Sequence, residues 1–118
     1  MGADYFLVFY GLRVDLGNYE DQSIDYNAIN LLELQTHPLQ TKAQSAGLET
    51  WWENFSLRSE HYLLFIGKKI GTLGWEYLSS LSLSETEINA ITVDVKSKLR
   101  QAGLSDAAKL WLQFGPDH

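Results

Sequence analysis

The stretch Tyr5-Phe-Leu-Val-Phe-Tyr-Gly-Leu-Arg-Val14 decides how the chain is read. Neither of its two alternating sets of residues turns polar before Arg13. A strand with one wet face alternates apolar and polar residues, whereas a strand apolar on both faces is covered on both sides. The stretch is therefore expected to be a central strand, with helices over one face and something else over the other.

A second stretch has the same character. His61-Tyr-Leu-Leu-Phe-Ile-Gly67 is apolar on both faces apart from His61, and it reads as the second central strand. Two others are mixed. Thr50–Leu57 sets Trp51, Glu53, Phe55 and Leu57 against Trp52, Asn54 and Ser56, and Ala107–Phe114 sets Leu110, Leu112 and Phe114 against Lys109, Trp111 and Gln113. Mixed polarity suits edge strands.

Two helices separate these strands. Thr36 is read as the N-cap of a helix over Pro38–Ala46, because Pro is tolerated in a first turn where its missing N–H has no helical partner. Gly47 stops that helix, and Leu48 packs back. Ser84 with Glu87 has capping-box spacing and opens the second helix. Ile88, Ile91, Val95, Leu99 and Ala102 then form one apolar stripe, and Lys96, Lys98 and Arg100 suit the negative end of the helix dipole. The segment Lys42-Ala-Gln-Ser-Ala-Gly-Leu48 is echoed by Lys98-Leu-Arg-Gln-Ala-Gly-Leu104, and each precedes a Trp-bearing strand.

Between these elements, Asp15–Asp25 reads as a loop from its Gly, Asn, Asp and Ser content. Tyr26–Gln35 is either a short helix capped by Asp25 or irregular chain. Lys68-Lys69 reads as a turn, with Ile70–Gly74 folding back as a hairpin arm, and Trp75–Leu83 reads as a linker. The order β-α-β-β-α-β is that of a ferredoxin-like α+β sandwich. It implies a four-stranded antiparallel sheet with two helices on one face and the first and third strands in the centre. All 118 residues are expected in one domain. A likeness to a fold carries no function with it.

Composition narrows the function classes. The formal charge is −6, from 15 acids against 9 bases, which argues against nucleic acid and anionic membranes as partners. Base stacking on a sheet face also needs a Lys/Arg-Gly-Phe-type signature, and none is present. With no cysteine there are neither disulfides nor thiolates. No run approaches the roughly 20 apolar residues of a membrane span, so a cytoplasmic protein is expected.

The candidate surface follows from the fold. Phe6, Val8, Tyr10, Leu12 and Val14 are expected to face the helices. Tyr5, Leu7 and Phe9 would then lie on the open side, joined by Trp52 and Trp111, with Asn54, Lys109 and Gln113 around the edge. Apolar area of that extent is not left wet, so either a second copy in a homodimer or the linkers 16–35 and 75–83 should cover it. Asp15, Glu20, Asp21 and Asp25 form an acidic stretch that would suit a basic protein partner.

Catalytic signals are sparse. His37, His61 and His118 show no metal-ligand spacing, and no cofactor motif occurs. His61 is the one weak catalytic candidate, with Glu53 or Glu60 as the carboxylate that would set its tautomer. The leading expectation is a non-enzymatic association domain without a cofactor. The alternatives are an immunity-type inhibitor using the acidic loop, and a small-molecule binder or enzyme using His61.

Overall fold

A computed structural model describes residues 4–18, 23–56, 60–105 and 107–115 of the chain. Its elements are β1 (Tyr5–Gly17), α1 (Tyr26–Glu33), α2 (Pro38–Ser45), β2 (Glu49–Ser56), β3 (Glu60–Gly74), α3 (Glu85–Gln101) and β4 (Lys109–Gly115). The strands form one antiparallel sheet in the order β2-β3-β1-β4. Both stretches read as apolar on two faces are thus central, and both mixed ones are borders.

The helices differ from the expected pair in two respects. A third, α1, stands between β1 and α2, where the sequence left helix and irregular chain open. Asp25 caps it by accepting the Ala28 N–H at 2.7 Å, and Leu32 is its buried anchor. The N-cap of α2 is His37 rather than Thr36. Its Nδ1 accepts the Leu39 N–H at 3.1 Å, and the Gln40 side chain accepts the His37 N–H at 3.1 Å. Gln40 is itself fully buried and donates to the Leu32 carbonyl, tying α2 to the end of α1. The cap of α3 is the expected box of Ser84 and Glu87.

The echoed segments close their helices identically. Leu48 N–H donates to Ala43 O and Gly47 N–H to Gln44 O, while Leu104 N–H donates to Leu99 O and Gly103 N–H to Arg100 O. Gly47 and Gly103 take the left-handed conformation this Schellman closure requires, at φ 80° and 72°.

Lys68-Lys69 is not a turn. β3 runs through it for 15 residues, with a bulge that leaves Ile70 unpaired against β1. The long β1/β3 ribbon is flanked by β2 along one half and by β4 along the other. The halves meet where Gly11 lies opposite Gly67, both at positive φ (151° and 152°). A Cβ on either glycine would run into the facing backbone, Ile66 O or Tyr10 O. Two bare backbones can approach there and bend the ribbon, and the border strands β2 and β4 come within 8 Å of each other.

The bend creates two cores. Leu32, Ala43, Leu48, Val95 and Leu99 pack on Leu64 and Ile66, joined by Leu12, Val14, Trp52 and Tyr62, so all three helices cover the same side of the half that carries β2. Leu7, Phe9, Leu63 and Phe65 form the second core on the opposite, concave side, with Tyr5, Trp51 and Trp111 around it.

Candidate functional site

The sequence reading located the working surface on the concave side. The expected residues Tyr5, Leu7, Phe9 and Trp111 do share that side, but it is not an open face. Leu7, Phe9 and Phe65 are fully buried within the single chain. Its cover comes from within the sheet rather than from the linkers among the described residues. Bending packs Phe9 against Phe65, 5.4 Å between ring centroids, and the two border tryptophans cover the pair. Of the linkers, Tyr77 meets only the margin, at Tyr5.

Trp52 is the other correction. It faces the helices, where it stacks on Tyr62, and Trp51 takes the concave place assigned to it. Adjacent strand residues point to opposite sides, so a Trp-Trp pair always offers one ring to each. Pattern alone does not say which. Register does, because Trp51 lies opposite Phe65 and Trp52 opposite Leu64. Asn54 shares the Trp52 parity, and its buried Oδ1 has no hydrogen-bond partner.

The concave rim carries cations resting on aromatic rings. The Arg13 guanidinium sits 4.2 Å from the Trp111 ring centroid and donates to Gln113 Oε1 at 2.7 Å. Lys69 lies 4.0 Å over Trp51, and Lys109 lies 5.8 Å from Trp111. Trp111 Nε1–H donates to Gly11 O at 3.0 Å, which holds the indole over the bend. Lys109 and Gln113 thus border the concave side as expected, while the parts played by Arg13 and Lys69 were missed. Their signal was parity: Arg13 shares that of Phe9, and Lys69 that of Phe65 once the segment read as a turn is placed in the strand.

His61 pairs with Asp15, a carboxylate the sequence reading did not assign to it. Its Nδ1 lies 3.1 and 3.2 Å from the two carboxylate oxygens. Partial burial opposes ionisation of Asp15. Hydrogen bonds from His61 and the Gly17 N–H, with the His61 and Arg13 charges, outweigh it and hold the carboxyl below its usual 3.8. Asp15 and Asp25 of the acidic stretch therefore both serve local structure, one holding His61 and one capping α1. Glu20, Asp21, His118 and the Glu60 side chain lie outside the described residues. Among the described residues no cluster of three or more His, Asp or Glu could hold a metal ion, and no helix is long and apolar enough to cross a membrane.

The exposed apolar side chains gather elsewhere, around a buried Val8. On the helix side of the arm formed by β4, the start of β1 and the end of β3, register sets out three rows. They are Leu110–Tyr10–Lys68, Leu112–Val8–Gly71 and Phe114–Phe6–Leu73. Eight of the nine positions are uncharged, and Leu78 and Leu81 extend the middle row by lying over the site of a Gly71 Cβ. The helices cover the other half of the sheet, so Leu112 is 63% exposed, Leu110 55% and Phe6 45%. Comparison of the chain with protein-family models, curated proteins and solved structures finds no match.

Proposed function

We propose that the protein is a non-enzymatic association domain whose working surface is the outer face of the β1–β3–β4 arm. One observation carries this reading: around a buried Val8, the apolar grid leaves Phe6, Leu110 and Leu112 exposed together, while the sheet's concave side and its helix-bearing half are both packed. Singly exposed leucines are ordinary, but a contiguous apolar row on a sheet is the mark of an interaction surface. The aromatic side first suggested by the sequence is not needed for it, since the chain seals that side itself. We also class the connectivity with ferredoxin-like sandwiches. The order β2-β3-β1-β4 supports this, with α1 and the sharp bend at Gly11 and Gly67 as departures.

A photo-reactive benzoylphenylalanine in place of Leu112, expressed in the cells that make the protein, tests the association reading. Irradiation should give a discrete protein adduct that the same probe at Val93, on α3 and 69% exposed, does not give. If both positions give the same adducts, or neither gives any, the outer face is not an association surface.

A further inference from the structure

We infer that the occupant of the outer arm face is a second copy of this chain, packed face to face about a two-fold axis as a weak, reversible dimer. The inference rests on the association reading above and adds the partner.

Charge narrows the choice of contact. The chain carries a formal charge of −6, so most approaches of two copies are opposed by like charge. The outer arm face is different. Its three rows hold no carboxylate, and their one charged residue, Lys68, stands at a corner where it lies 3.9 Å from Glu49. The other border strand, β2, carries Glu49 and Glu53 and would set carboxylates near carboxylates in a symmetric pairing. A grid whose polar groups, on Tyr10 and Lys68, are confined to one row can also pair its two apolar rows under a two-fold rotation, which is what an isologous contact requires. Two sheets meeting in this way stack about 10 Å apart, the spacing of a β-sandwich.

Area sets the strength. Three strands across and the seven residues of β4 along give a face on the order of 300 Å² per copy. Leu78 and the 92% exposed Trp75 that follows β3 enlarge it only at the rim. Two such faces bury well under the roughly 1,200 Å² below which interfaces are transient. The dimer should therefore form and dissociate with concentration.

Sedimentation of the purified full chain between about 1 µM and 1 mM reads this directly, a range spanning weak affinities. The weight-average mass should rise from 13.4 kDa towards twice that value. Leu112→Asp and Leu112→Lys should each hold it at the monomer mass. The two add charge of opposite sign, so loss in both reports the face rather than net repulsion. Val93→Asp should leave the rise unchanged. Because Leu112 and Val93 are more than half exposed, circular dichroism should show each variant folded. A wild-type mass of 13.4 kDa throughout, or a rise that survives Leu112→Lys, overturns the second copy as occupant. A monomer that still gives a Leu112-specific adduct to a different protein in cells overturns this inference alone and leaves the association reading standing.

Discussion

His37 caps α2 because of its neighbour. Pro38 restricts the residue before it to extended backbone, and His37 has φ −59° and ψ 140°. With Pro in the first helical position, the cap must be the residue just before it, not Thr36. The cap works through an unprotonated Nδ1, which accepts from Leu39 N–H. Burial disfavours the imidazolium and holds the His37 pKa below 6.5. The unfolded chain thus takes up a proton near pH 6.5 that the folded chain refuses. The stability His37 contributes is complete above that pH and is lost as pH falls toward the lowered value. An N-cap is worth about 1 kcal/mol, a few degrees of melting temperature for a chain of this size. Melting followed from pH 7.5 to 5 should show a loss below pH 6.5 that His37→Asn reduces, since Asn caps without titrating in that range. An identical loss in the variant would place the titration elsewhere.

Two kinds of glycine act at the scale of elements. Gly103 needs only its left-handed backbone, because nothing stands within 4 Å of where a Cβ would be. Gly103→Ala should cost about 1–2 kcal/mol, the steric penalty of that conformation in an L-residue. Gly11→Ala meets both a positive φ and the Ile66 carbonyl, so it should cost at least twice as much or abolish folding. Urea unfolding of both variants checks the ranking, and equal losses would mean that the β1/β3 ribbon does not close at the glycine pair. The same residues explain what was legible. The Ala-Gly-Leu stops could be read because the Schellman closure is local and its sequence is nearly sufficient. Both central strands could be read from their two-sided apolarity. The bend could not, because it depends on Gly11 and Gly67 facing each other across 56 positions of sequence, and register is a property of two strands together. Lys68-Lys69 misled for a similar reason. Charged pairs often mark turns, but Lys69 is held within the strand by its backbone N–H to Glu49 Oε1 and by the face of Trp51.

For the molecule as a whole, the bend moves the functional question from one side of the sheet to the other. A flat sheet with these residues would bury its helix side and leave Tyr5, Leu7, Phe9 and Trp111 wet. Folding the ribbon at Gly11 and Gly67 buries that aromatic side and leaves β4 and the start of β1 beyond the reach of the helices. The cations Arg13, Lys69 and Lys109 then lie over tryptophans, each such contact adding on the order of 0.5–1 kcal/mol at exposed positions. The measurement that bears on this most directly is hydroxyl-radical footprinting of the dilute chain, read residue by residue by mass spectrometry. The structure requires strong labelling of Leu110, Leu112 and Phe6 and protection of Leu7, Phe9 and Phe65. Strong labelling of Leu7 and Phe9 with protection of Leu110 and Leu112 would contradict it.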